Sequence, residues 1–223
     1  MSFNVAIDGP AGAGKSTVAK TVAGEMNFIY VDTGAMYRAM ALYFLREGID
    51  PSDEAAVSEA CRRVSVTISY EAGVQQVFLN GENVSGLIRT EEVGNMASAT
   101  SGYWLVREKL VELQKELAKK AYVIMDGLDI GTCVLPEADV KIYLTAGSLV
   151  RAKRRYKELT EKGISCNLEE IEKDIIDRDY RDMHRENSPL SQAEDAVLLD
   201  SSDMTLRQVV ETIEAMIREK REA

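Results

Sequence analysis

Apolar and polar positions follow two rhythms along this chain, and the switches between them outline its elements. Short apolar runs occur at residues 3–8, 28–31, 122–126, 140–144 and 196–200. They alternate little, as expected of strands buried on both faces. Between them, apolar residues recur at three- and four-residue spacing. This predicts helices from Thr17 to about Gly24, through Ala35 to Gly48, from Glu54 to about Arg63, over 90–100 and 104–120, and over 148–161, 167–187 and 205–220. Thr33 is the predicted N-cap of the second of these. Leu105, Leu110, Leu113 and Leu117 share a face of the fifth. Strands alternating with helices imply an α/β fold, a parallel sheet with helices on both faces.

One stretch departs from this plan. Residues 64–70 alternate with period two, as residues 74–79 do more loosely, and Glu71-Ala72-Gly73 lies between them. Asn80-Gly81 is a second turn signal, before a short third strand near residues 82–84. The reading is a small antiparallel β insert over roughly residues 62–90.

Composition narrows the function. The chain has 223 residues, 45% hydrophobic and 29% charged, which is enough to bury a full core. A net charge of −10 argues against sequence-independent binding of nucleic acid, which needs a basic face. Local arginine clusters still permit small anionic ligands. Cys61, Cys133 and Cys166 are far apart with no C-x-x-C, so free thiols in a reducing cytoplasm are expected. With His184 the one histidine, His-based metal sites and Ser-His triads are excluded. No basic segment precedes an apolar run at the N-terminus, and no apolar run nears membrane-spanning length. Neither a signal peptide nor a membrane interaction is expected.

The sharpest motif is Gly9-Pro10-Ala11-Gly12-Ala13-Gly14-Lys15-Ser16-Thr17. It fits G-x-x-x-x-G-K-[ST], the phosphate-binding P-loop, between a predicted strand and a predicted helix. Successive N–H groups and the helix N-terminus would face a triphosphate. Lys15 would reach the β/γ-phosphates of ATP, and the Ser16 hydroxyl would ligate Mg²⁺. Asp32-Thr33-Gly34 and residues 126–129 also follow strands, where ligands of open α/β sheets bind. Asp32, Asp126 and Asp129 are therefore either helix caps or parts of the nucleotide site.

A GTPase is excluded for want of a base-recognition Asn/Thr-Lys-x-Asp, and a motor ATPase is disfavoured by size. A small-molecule kinase fits the arginines. Two anions must be held in line, and the planar guanidinium fork grips phosphate bidentately. An acceptor phosphate is already nucleophilic and needs no strong base.

The motifs resemble those of the bacterial cytidylate kinases, nucleoside monophosphate (NMP) kinases with a P-loop NTPase-type sheet, over essentially the whole chain. They are residues 6–10, 31–38 (Val-Asp-Thr-Gly-Ala-Met-Tyr-Arg), 88–93, 126–132, 178–182 and 188–190. The antiparallel insert matches the family's extra small sheet. The resemblance implies a single kinase domain over 1–223, with core 1–61 and 102–223, an NMP-binding region with the β insert at about 62–101, and a lid at about 151–187. It implies a monomer that transfers phosphoryl from ATP to CMP or dCMP with Mg²⁺. Thr33, Arg38, Ser98, Arg107, Asp129, Arg178, Asp182 and Arg185 would hold the acceptor. Ser98, Arg107 and Asp129 would read cytosine, Arg178 and Asp182 the sugar, and Arg38 and Arg185 phosphate. Lys15, Arg38, Asp129 and Arg185 would form the catalytic set. Arg151, Arg154 and Arg155 would lead into the lid over ATP. Arg178, Asp182 and Arg185 are spaced to share one helix face. His184 is expected at the surface of that helix, and Trp104 in a core or hinge contact.

One position departs from the family pattern Asp-Gly-Arg-Asp: this chain reads Asp126-Gly127-Leu128-Asp129. Leu128 offers neither charge nor donor. The departure suggests depressed turnover, compensation by a neighbouring arginine, or a nucleotide-binding regulator that has lost transfer. A shifted acceptor such as UMP is the alternative within the enzyme class.

Overall fold

In a computed structural model describing residues 2–222, β1 (Phe3–Asp8) is the central strand of a five-stranded sheet. With β2 (Ile29–Asp32), β6 (Tyr122–Gly127), β7 (Val140–Thr145) and β8 (Val197–Asp200), the spatial order is β2-β6-β1-β7-β8 and every pairing is parallel. Successive residues of β1 face opposite layers. Ala6 joins a core with Val31, Val123 and Met125, whereas Val5 and Ile7 join Ile124, Ile142 and Leu144 on the other face. Burial on both faces explains the apolar runs without alternation.

Helices α1 (Lys15–Met26) and α8 (Leu206–Glu222) cover the second face. From α8, Val209, Val210, Ile213 and Ile217 enter that core at helical spacing. The first face is covered by α2 (Thr33–Arg46), α3 (Glu54–Arg63), α4 (Glu91–Thr100) and α5 (Trp104–Ala118). Leu110 is fully buried there, and Leu105, Leu113 and Leu117 pack around it. Side-chain caps begin α3 at Asp53 and α4 at Thr90. Helices α6 (Ser148–Glu161) and α7 (Leu168–His184) pack on each other beyond β7.

The insert is a three-stranded antiparallel sheet of β3 (Val66–Glu71), β4 (Val74–Leu79) and β5 (Glu82–Asn83). Val66, Val77 and Leu79 belong to the first-face core, so the insert shares its packing with α2.

Three local expectations are corrected. The N-cap of α2 is Asp32, whose Oδ1 accepts from the Ala35 N–H at 2.9 Å. Thr33 is the first helical residue, and its hydroxyl is taken by the Asp126 carbonyl at 2.7 Å. Trp104 is 64% exposed at the start of α5 rather than buried in the core. Arg185 lies just past α7 in extended conformation rather than on its face. The chain leaves the helix there so that the Leu190 N–H reaches the Asp182 carbonyl, satisfying an orphan acceptor of the last turn. His184 is exposed, as expected, with its ring stacked on Tyr180. Among the described residues no helix is long and apolar enough to cross a membrane.

Candidate active site

The loop from Gly9 to Gly14 leaves β1 at the centre of the sheet and turns into α1, with Gly14 as the helix N-cap. Gly9 has φ +143°, and a Cβ there would lie 1.9 Å from the Leu144 carbonyl oxygen, so only glycine lets the loop cross β7 this closely. Lys15 folds back over the loop, and its Nζ donates to the carbonyls of Gly9 (2.6 Å) and Pro10 (2.9 Å). Burial pulls its ammonium below the ordinary lysine range, against the opposing pull of Asp126 and Asp8. Ala13 is buried and Thr17 lies at the loop's outer side.

Strand β6 lies beside β1 and β2, which brings Asp126 to the loop. Asp126 accepts from Ser16 Oγ (2.7 Å) and from the Tyr30 hydroxyl (2.7 Å). Burial raises its carboxyl above the usual carboxylate range, and Asp32 nearby adds to the effect. Beneath them, Asp8 accepts from the N–H groups of Ile130 and Gly131, both at 2.7 Å. These bonds anchor a π-helical turn, Ile130–Val134, a form common at functional sites. Burial outweighs the two bonds and raises the Asp8 carboxyl to about 6.

A cleft of about 320 Å³ opens on this side. Thr33, Arg38, Ser98, Arg107, Asp129, Arg178, Asp182 and Arg185 all line it, with Ala11, Gly12, Lys15, Ser16 and Leu128. Arg107 and Asp129 form a buried ion pair. Arg185 donates from Nε to the Ser188 carbonyl at 2.5 Å and lies 3.9 Å from Asp129. Arg178 is 3.7 Å from Asp182. Among the described residues Arg38 makes no ion pair, and burial and Arg89 both pull its guanidinium below the ordinary arginine range. Asp182 Oδ2 and Arg185 Nη2 are buried without a hydrogen-bond partner. Surplus cations and orphaned polar atoms at one wall call for an anionic, hydroxylated ligand.

A further cleft, about 360 Å³, adjoins the same loop and is lined by Gly12, Gly14, Lys15, Ser16, Thr17 and the α6 arginines Arg151, Arg154 and Arg155. These arginines are not free. Arg151 is buried and donates to the carbonyls of Ala11 (2.9 Å) and Ala146 (2.8 Å) and to Asp179 on α7 (2.5 and 3.0 Å). Arg154 donates to the Ser201 carbonyl at 2.9 Å, and Arg155 pairs with Glu158. Thus α6 and α7 are tied to the phosphate-binding loop.

Three contributors had no assigned role in the sequence. Asp8 and Tyr30 sit inside apolar runs and read as strand residues. Arg89, at the end of the insert, pairs with Asp32 across the cleft wall. For Arg89 and Asp8 a signal was present, because they belong to the family-like motifs at 88–93 and 6–10.

The structural likeness to a gluconokinase from Sinorhizobium meliloti 1021 covers 99% of this chain and 95% of that one, at TM-score 0.51 and 11% identity. At that identity it speaks for the fold alone. Sequence comparison is finer. Residues 5–219 match the cytidylate kinase family model. The chain is 50% identical to a cytidylate kinase of Lactobacillus gasseri over 98% of its own length and 95% of that protein's. It is 47% identical to a cytidylate kinase of Bacillus cytotoxicus, over 97% and 96%. This chain belongs to the cytidylate kinase family.

Proposed function

We propose that this protein transfers the γ-phosphoryl group of ATP to CMP or dCMP, giving ADP and CDP or dCDP. The observation that carries the reading is that two clefts meet at one loop. Gly12, Lys15 and Ser16 line both, so a donor phosphate held in one cleft adjoins an acceptor held in the other. Catalysis then consists of positioning and charge stabilisation.

In this reading Lys15 exchanges its contacts with Gly9 and Pro10 for the β/γ-phosphates. Arg38 and Arg185 grip the acceptor phosphate, with Arg38 already uncommitted. Ser98 and the Arg107–Asp129 pair read the cytosine edge, and Arg178 and Asp182 take the sugar. A site built to hydrogen-bond one base edge rejects an analogue lacking it. Arg154 and Arg155 lie toward the donor, while Arg151 holds the loop.

Mg²⁺ fits the residues present. Ser16 Oγ and the Asp126 carboxylate are a hard oxygen pair in direct contact, and this ion is held by one or two protein oxygens, water and substrate phosphate. When bound, Mg²⁺ offsets phosphate charge. The protein's part is the placement of Ser16 by α1 and of Asp126 by β6. We also read residues 62–101 and 151–187 as NMP-binding and lid regions of one monomeric domain.

Leu128 favours a second reading, a nucleotide-binding protein with weak transfer, because it lines the acceptor cleft without a donor. A coupled assay with CMP, dCMP and UMP separates the cases. Turnover with CMP and dCMP is expected. Turnover with UMP alone, or ATP binding without transfer, would overturn the proposal.

A further inference from the structure

The insert does more than pack beside the sheet. On its docking face Tyr70 of β3 and Gln75 of β4 are directly opposite in the hairpin register. Both reach the outer edge of β2, which among the described residues has no strand partner on that side. Tyr70 donates its hydroxyl to the Tyr30 carbonyl at 3.1 Å. Gln75 takes both main-chain groups of Asp32: its Oε1 accepts from Asp32 N–H at 2.9 Å, and its Nε2 donates to Asp32 C=O at 3.1 Å. A primary amide thereby replaces a missing strand for one peptide register.

That register is the start of the acceptor wall. Asp32 caps α2 through Ala35, pairs with Arg89 through its other oxygen, and is followed by Thr33, whose hydroxyl is fixed on Asp126. Arg38, one turn further on, projects from the same helix into the cleft. The backbone bonds of Gln75 are the only ones from the insert strands to Asp32 among the described residues.

We infer that Gln75 is a positioning residue for the acceptor site, holding the Asp32–Thr33 backbone where α2 presents Thr33 and Arg38 to the acceptor nucleotide. The inference rests on the proposed acceptor function. It differs from a general tethering role, because Tyr70 makes a comparable bond two residues upstream, outside the acceptor wall.

The test compares Gln75→Met, which keeps length and removes both hydrogen bonds, with Tyr70→Phe. Losing two neutral hydrogen bonds is expected to raise KM for CMP on the order of tenfold in Gln75→Met. KM for ATP and kcat are expected to stay within about twofold, and Tyr70→Phe to match wild type in all three. Backbone amide hydrogen exchange at residues 32–35 is expected to quicken in Gln75→Met alone. An unchanged KM for CMP, equal rises for both substrates, or the same effect from Tyr70→Phe would overturn the inference. If the wild-type protein does not phosphorylate CMP, the functional reading fails separately, and the exchange comparison still decides whether Gln75 fixes this wall.

Discussion

Ser16 Oγ lies 2.7 Å from Asp126 Oδ2, joining two residues 110 positions apart at the mouth of the phosphate-binding loop. The contact exists because β6 runs beside β1, so the ends of both strands open on the same edge of the sheet. Asparagine at 126 would keep one acceptor for the Ser16 and Tyr30 hydroxyls but remove the charge. Asp126→Asn is expected to lower kcat by about a hundredfold or more, since metal-assisted charge stabilisation is worth several kcal/mol. Thermal stability should hold or rise, because a buried carboxylate is neutralised. Steady-state kinetics at saturating MgATP and a melting curve read the two effects apart.

Leu128 sits half-buried between Gly127 and Asp129 on the wall of the cleft proposed to hold the acceptor. A guanidinium here would add a charge-assisted contact to the phosphate in transfer, worth roughly 1.5–3 kcal/mol. Leu128→Arg is expected to raise kcat/KM for CMP about ten- to a hundredfold. A variant no faster than wild type would show that Leu128 is not a defect.

Arg151 joins Ala11 of the loop, Ala146 and Asp179 of α7 through one buried guanidinium. Truncation leaves Asp179 facing the interior without its partner. Arg151→Ala is expected to cost about 3–5 kcal/mol. That would lower Tm on the order of 10 °C for a chain of this size. KM for ATP is expected to rise with it, which calorimetry and ATP titration would show.

Asp8 supplies a pH signature. Its carboxyl is raised from 3.8 to about 6 by burial, with Asp129 adding to the rise and Lys15 opposing it. The folded protein therefore holds this proton over a range where the unfolded chain has lost it. The stabilising contribution is complete below about pH 4 and disappears as pH rises through about 6. Asp8→Asn is expected to flatten the decline in unfolding free energy over that window by up to about 1.4 kcal/mol per pH unit. Denaturant unfolding at pH 4, 5, 6 and 7 measures the slope. Comparing slopes sets aside the constant cost of losing one of the Ile130 and Gly131 bonds.

Much of this fold is legible in the amino-acid sequence. Residues 3–8 and 122–126 are apolar without alternation, which only a strand buried on both faces requires. Gly9 to Thr17 carries a loop chemistry that few other sequences reproduce. The β insert announced itself by a change of period and by Asn80-Gly81. Local errors came where two residues could do one job. Asp32 and Thr33 are both good caps, and the choice fell to Asp32 because Asp126 had already taken the Thr33 hydroxyl. Trp104 read as a packing residue because size favours burial, yet its place at the first turn of α5 leaves it on the surface.

Residue types and their spacing settled the α/β plan and the phosphate-binding loop, because those depend on local periodicity and short-range chemistry, whereas the acceptor-site residues were expected only from the resemblance to the cytidylate kinases. The partnerships came from the folded chain. The pairing of Arg107 with Asp129, the grip of Asp8 on the π turn, the docking of Gln75 on Asp32 and the hold of Arg151 on the loop all link residues far apart in sequence. Strand order and helix packing choose such partners, and once buried, each polar group must find one or carry a desolvation cost.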